Sequence, residues 1–196
     1  GAVQEAEYVF IKQGLDYLVN ELKADSVELL EIGFGTGLNT LLSYKHAMDN
    51  KLPITYTGIE AYPLDLNLIE DLNFPKIIGI EKSYYLQLHK SPWEEWETLE
   101  ADFKLLKKKM FFQDIKSKNE YNLIYFDAFG SRVQPELWEE EIFEIMYNSL
   151  KENGVLVTYA AKGSVRRAME KLGFKVERLP GPPGKREMLR AIKLKY

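Results

Sequence analysis

Glu31-Ile32-Gly33-Phe34-Gly35-Thr36-Gly37-Leu38-Asn39 sets three glycines at alternate positions directly after an apolar run, Val27 to Ile32. Glycine lets backbone approach a ligand with no Cβ in the way, and a helix opening at Leu38 offers unpaired N–H groups at its amino end. A strand, a glycine turn and a helix in that order form a nucleotide-binding corner. The spacing then narrows the chemistry. A dinucleotide fingerprint, G-x-G-x-x-G, would need glycine where Leu38 stands, so a pyrophosphate cradle is not implied. The bland alternative is a tight turn with no ligand, yet three alternating glycines weaken a helix start unless something needs the room.

Carboxylates recur where strands should end. Glu31 closes the first strand, Glu60 the second and Asp127 the fourth, while Asp114 follows the third. Ligands of open α/β sheets bind at these carboxyl ends. Glu60 is placed to accept hydrogen bonds from two ribose hydroxyls, and Asp114 to meet an adenine amino group. Asp127 would lie beside the reacting centre, and Glu31 would orient the glycine turn or receive a ligand ammonium. One such acid often only caps the next helix. Four in register with a glycine turn point to a nucleoside.

Other chemistry is removed by composition. The 196 residues include no cysteine, so there is no disulfide, no thiolate metal site and no cysteine nucleophile to activate a pyrimidine ring. His46 and His89 stand in unrelated segments without metal-ligand spacing, and both are expected on helix faces or the surface. No metal is expected.

Strands alternating with helical stretches position these groups. Helix is expected over 9–22, from Leu38 to about Asp49, from Pro63 to about Leu72, from Pro135 to Leu150, and from Ser164 to Leu172. Strands are expected at 27–32, 54–60, 103–112, 122–126, 155–160, 174–179 and 188–194. Right-handed crossovers then give an α/β fold: a doubly wound, Rossmann-like, seven-stranded and mostly parallel sheet whose last strand pair is antiparallel. One domain over 1–196 is expected, with an irregular insertion around 75–101, where Tyr84, Tyr85, Trp93 and Trp96 cluster among acids.

Charge is uneven. Residues 151–196 carry twelve Lys and Arg against four Asp and Glu, a balance of +8; residues 1–150 carry fourteen against twenty-six, a balance of −12. A basic end on an acidic protein suits an anionic partner, and equally suits solvated helix faces. No apolar run approaches membrane-spanning length and no signal peptide opens the sequence, so the cytoplasm is the expected compartment. The sequence opens on Gly1 rather than methionine, which leaves room for native residues upstream.

Glu31-x-Gly33-x-Gly35-x-Gly37 resembles motif I of the class I S-adenosylmethionine-dependent methyltransferases. Further motifs are similar to the MnmC-type tRNA methyltransferase domain. They are Phe34 to Asn39, Tyr125 to Phe129 with Pro135 to Trp138, Gly163 with Val165-Arg166-Arg167, Gly173-Phe174, and Gly184 to Leu189. The resemblance runs from about residue 5 to the end and is weakest at 75–101. It implies S-adenosylmethionine as cofactor, with Glu31, Gly33, Phe34, Gly35, Thr36, Gly37, Asn39, Glu60 and Asp114 around it. It implies methylation of 5-aminomethyl-2-thiouridine to 5-methylaminomethyl-2-thiouridine at the tRNA wobble position, with Asp127 catalytic. Bifunctional members also carry a flavin-dependent oxidase domain; this chain has no room for one and no dinucleotide fingerprint, so a stand-alone form supplied with aminomethyl uridine by separate enzymes is expected. Gln113 departs from the family pattern, which has glycine there. Phe129 and Trp138 are candidates for stacking a flipped base; packing on the core is the competing role, favoured for Trp138. Lys162, Arg166, Arg167, Lys185 and Arg186 are candidates for tRNA phosphates. Two alternatives remain: a class I enzyme acting on a small amine, and a catalytically silent RNA-binding module.

Overall fold

The structure, a computed structural model, describes residues 1–128 and 134–194. A long helix opens the chain, α-helical over Ala2–Ala6 and Tyr17–Asn20 and π-helical over Glu7–Asp16 between them; the three parts together are α1. β1 (Val27–Ile32) leads into α2 (Leu38–Asn50), and β2 (Ile54–Glu60) follows. Three short helices come next: α3 (Leu66–Glu70), α4 (Phe74–Ile78) and α5 (Lys82–Lys90). The chain continues with β3 (Glu97–Thr98), β4 (Phe103–Lys109), β5 (Tyr121–Phe126), α6 (Glu140–Ser149) and β6 (Leu150–Thr158). It closes with α7 (Gly163–Leu172), β7 (Phe174–Pro180) and β8 (Glu187–Lys193).

All strands form one sheet in the order β3-β4-β2-β1-β5-β6-β8-β7. β4, β2, β1, β5 and β6 run parallel, β8 lies antiparallel between β6 and β7, and β3 is antiparallel to β4. The doubly wound, mostly parallel expectation therefore holds, with an eighth strand. The addition is the two-residue β3, too short to give a period-2 signal in sequence. Several other boundaries move: α1 starts at Ala2, β4 stops at Lys109 and β6 runs from Leu150 to Thr158. Helix in the 63–72 region is limited to α3, where Asp65 caps the Asn67 N–H, and Pro135–Trp138 forms a 3₁₀ turn before α6 starts.

Side chains of a strand alternate between faces, and the core divides accordingly. Leu29, Tyr56, Phe103, Tyr125 and Val157 pack beneath α1 and α2. Leu30, Ile124, Phe126 and Leu156 meet Phe143 and Met146 of α6 on the opposite face. α1 lies so close to the sheet that a Cβ on Gly14 would come 2.9 Å from Val157. The lysine run 107–109 suggests an edge strand, yet Lys107 is buried: Trp93 bridges to it and β3 covers the strand. Among the described residues, no helix is long and apolar enough to cross a membrane.

Candidate active site

A cavity of about 640 Å³ opens at the carboxyl ends of β1, β2 and β5, bordered by the glycine turn, Glu60, Asp127 and the cavity-facing end of α1. Its position follows from topology. From β1 the chain goes to β2 and β4 on one side, then returns past β1 to β5 on the other, and this reversal of strand order opens a crevice at the switch point.

Backbone geometry shows why the turn is glycine. Gly33, Gly35 and Gly37 have φ of 91°, 53° and 76°. At Gly33 there is also no space, since a Cβ would lie 2.6 Å from the Asp127 carbonyl oxygen. The N–H groups of Gly33 and Phe34 both reach the Ile59 carbonyl at 3.0 Å, while Gly35 N–H donates to Glu60 Oε1 at 2.9 Å. Glu60 Oε2 accepts the Tyr62 N–H at 3.2 Å.

A polar network lies beneath the turn. Glu31 is buried and accepts from Tyr56 OH at 2.7 Å, Asn39 Nδ2 at 3.0 Å and Thr40 Oγ1 at 3.2 Å. Asn39 Nδ2 also donates to Asp127 Oδ2 at 3.1 Å, so one amide joins two carboxyl groups. Burial raises both acids, Glu31 to about 8, opposed by the Tyr56 hydrogen bond, and Asp127 to about 7, opposed by Asn39. The folded chain thus keeps protons that the unfolded chain has lost from its ordinary carboxyls. Stability should fall as pH rises, between about 4.5 and 8 through Glu31 and between about 3.8 and 7 through Asp127, by up to ~1.4 kcal/mol per pH unit for each group. Thermal denaturation across that range checks the sign, and Glu31→Gln should flatten the dependence.

The segment 75–101, expected as an irregular insertion, supports the turn from behind. Tyr85 OH and His89 Nε2 both donate to the Thr36 carbonyl, at 2.6 and 2.7 Å. His89 is buried rather than surface-exposed, and burial lowers its pKa to about 4, so it is neutral at pH 7. Lys107 Nζ donates to the His89 carbonyl at 3.0 Å and lies over the Trp93 ring at 5.0 Å. The Phe34 ring fills the remaining space, edge-on to His89 and Trp93, and would touch a Cβ on Gly58 at 2.8 Å. Removing one of the two Thr36 donors should loosen the turn. His89→Leu is expected to weaken S-adenosylmethionine binding about tenfold, the value of one well-placed hydrogen bond, as read by titration calorimetry.

Of the other residues expected from sequence, Gly33, Phe34, Gly35, Thr36 and Asn39 border the cavity, as do Glu31 and Glu60. Gly37 caps α2 in the left-handed region. Asp114 does not border it: it is exposed in a 3₁₀ turn, and the neighbouring Gln113 lines the cavity instead. Trp138 is no platform; its ring is buried against Phe126, Phe143 and Tyr159. Phe129 lies outside the described residues. The basic residues sit on two segments, the amino end of α7 and the β7–β8 hairpin, both beyond the carboxyl end of β6, on the side of the sheet where the cavity opens. Lys162, Arg167 and Arg186 are exposed there, and Arg166 pairs with Glu170 at 2.8 Å. Lys185 differs, for it pairs with Glu5 of α1 and borders the cavity. Glu5, Phe10 and Tyr159 also line the cavity and went unread; nothing in their local sequence marks them. Among the described residues, no group of three His, Asp or Glu could hold a metal.

The sheet order and glycine turn are those of the class I methyltransferase fold. A family model described as S-adenosyl-L-methionine-dependent methyltransferase matches residues 80–194, more than half of the chain, and the chain belongs to that family. The tRNA 5-methylaminomethyl-2-thiouridine biosynthesis bifunctional protein MnmC of Leptospira interrogans is 29% identical over 204 residues, covering 95% of this chain and 30% of that protein. The protein of the same name from Idiomarina loihiensis is 26% identical, with 95% and 33% covered. The chain therefore spans about 30% of the length of these relatives. The crystal structure of MNMC2 from Aquifex aeolicus superposes with a TM-score of 0.76 at 24% identity, over 97% of this chain and 61% of that one. Spermidine synthase from Thermotoga maritima shares the fold at a TM-score of 0.57, 17% identity and 97% and 60% coverage.

S-adenosylmethionine is the cofactor of the family, and the cavity fits it. Open backbone at Gly35, a carboxylate at the end of β2 and a partly buried carboxyl at the end of β5 suit an aminocarboxylate, a ribose diol and a reacting sulfonium. Its volume lies in the range of small-molecule sites.

Proposed function

We propose that this chain methylates the primary amine of 5-aminomethyl-2-thiouridine at the tRNA wobble position, giving 5-methylaminomethyl-2-thiouridine. The observation that carries this reading is Asp127, a carboxyl at the cavity wall whose backbone N–H bonds Ile32 O at 2.9 Å and whose side chain Asn39 orients. The similarity to MnmC over 95% of the chain supports the choice of substrate.

S-adenosylmethionine supplies a methyl group on a sulfonium; the new C–N bond forms as the C–S bond breaks and its electron pair stays on sulfur. Gly33 and Gly35 would leave backbone open to the aminocarboxylate, with Gly37 turning the chain into α2 and Phe34, Thr36 and Asn39 fixing the shape of the turn. Glu60 accepts from the ribose hydroxyls, and Gln113 takes over from Asp114 on the adenine side. Asp127 holds the substrate ammonium in line with the methyl group. An alkylammonium has a pKa near ~10.4, so it must lose its proton before attack, and Asp127 receives that proton or passes it to water. Lys162, Arg166, Arg167 and Arg186 meet tRNA phosphates at the cavity edge. Phe129 remains a candidate for stacking on the flipped base. The enzyme would work in the cytoplasm, on tRNA that already carries the aminomethyl group.

Incubation with S-adenosylmethionine and tRNA lacking the final methyl group tests this, with wobble nucleosides read by mass spectrometry. Conversion of the aminomethyl to the methylaminomethyl nucleoside is expected. Methylation of free alkylamines with tRNA untouched would favour the small-amine enzyme, and failure to bind S-adenosylmethionine would favour the silent module.

A further inference from the structure

Lys185, the basic residue that differs from the rest, carries the further inference. Its Nζ pairs with Glu5 of α1 and sits 4.8 Å from the centre of the Tyr159 ring. Tyr159 is fixed from the other side, where its hydroxyl donates to the Ala128 carbonyl at 2.7 Å. Glu5, Lys185, Tyr159 and Asp127 all border the one cavity. They are close enough for their charges to act on one another: Glu5 and Lys185 both influence the acidity of Asp127, and Asp127 and Glu5 that of Tyr159. An alkylammonium of the protein itself is thus held at the cavity wall by a carboxylate and an aromatic face. These are the two groups that recognise an alkylammonium in general.

We propose that Glu5, the Tyr159 face and Asp127 form an ammonium subsite for the substrate, and that Lys185 occupies it until an incoming amine displaces it. This rests on the amine-methylating reading above. A primary ammonium on a methylene, such as the aminomethyl group, matches the lysine terminus in charge, size and donor count. The exchange is feasible because the Lys185–Glu5 pair is partly open to solvent, side chains being 42% and 36% exposed, and such pairs are weak. Glu5 then has a role no phosphate-binding surface would give it: as an anion beside the opening, it selects a cationic substituent on the base.

The test is a kcat and KM comparison of the parent chain, Lys185→Met and Glu5→Gln on aminomethyl-bearing tRNA, with S-adenosylmethionine affinity measured alongside to confirm folding. Lys185→Met should lower the KM for tRNA by about two- to fivefold, the value of an exposed ion pair, with kcat unchanged. Glu5→Gln should raise that KM by about tenfold or more, as expected for a lost charged hydrogen bond. Ethylammonium chloride should inhibit Lys185→Met at lower concentration than the parent. A raised KM in Lys185→Met with a shallower salt dependence would make Lys185 a phosphate contact and overturn the subsite. An unchanged KM in Glu5→Gln would overturn it too. Failure of the parent itself to methylate the tRNA amine would instead remove the reading underneath, and is distinguishable because no variant enters that comparison.

Discussion

Asp127→Ala is expected to lower kcat/KM for aminomethyl-bearing tRNA by about 10²- to 10⁴-fold, while S-adenosylmethionine still binds within about threefold of the parent. Two features of the side chain support that asymmetry. Asp127 borders the cavity but takes no part in the hydrogen bonds that shape the glycine turn, which run to Ile59, Glu60, Tyr85 and His89. Its own side-chain partner, Asn39, retains Glu31 as an acceptor when Asp127 is lost. The pH profile gives a second readout. Burial sets Asp127 near 7, so below that pH it holds a proton and cannot accept an ammonium charge. The parent kcat/KM should therefore fall on acidification through about 7, and the residual activity of Asp127→Ala should lack that limb. Equal kcat/KM in mutant and parent would remove Asp127 from the chemistry.

Gly33→Ala should abolish measurable cofactor binding, a rise in Kd of at least about a hundredfold. A non-glycine residue at φ 91° is strained by ~1–3 kcal/mol, and here the added methyl would also sit 2.6 Å from the Asp127 carbonyl oxygen. Backbone cannot rotate out of the way as a side chain would. Relief requires β1 and β5 to part where Asp127 N–H bonds Ile32 O, displacing the turn and the acid together. Gly35→Ala provides the control. Its φ is also positive, at 53°, but the nearest atom to a Cβ is 3.8 Å away, so strain acts there without collision. If both variants bind the cofactor equally weakly, backbone strain rather than the close approach to Asp127 governs the turn.

What the sequence made legible divides along the line between local and long-range causes. Motif spacing, apolar runs and strand-end acids are local, and they located β1, β2, β5, the turn, Glu60 and Asp127 in their structural places. Asp114 missed by one residue because a 3₁₀ turn after β4 exposes it and leaves Gln113 at the cavity. Trp138 carries the same composition cue whether it stacks on a base or fills a core, and only its neighbours Phe126, Phe143 and Tyr159 decide. Lys107 read as an edge marker because its burial depends on Trp93 and β3, from the stretch with the weakest periodicity. Glu5 and Lys185 meet across 180 residues of sequence, a separation at which no pattern rule operates.

That separation has a consequence for how the protein is made. β8, which follows the other strands of this sheet in the chain, does not join an edge; it slots between β6 and β7. Its Arg190 then secures α1, with Nη1 on the Gln13 side chain at 3.1 Å and the guanidinium 3.5 Å from the Tyr17 ring centre. Tyr8 adds a bond to the Pro180 carbonyl at 2.6 Å. The cavity wall contributed by α1 is thus fastened in part by Arg190, 177 positions after Gln13, although domains in general begin to fold while still being translated. Nascent chains stalled before Arg190 has cleared the exit tunnel should consequently fail to retain S-adenosylmethionine, however complete the glycine turn already is.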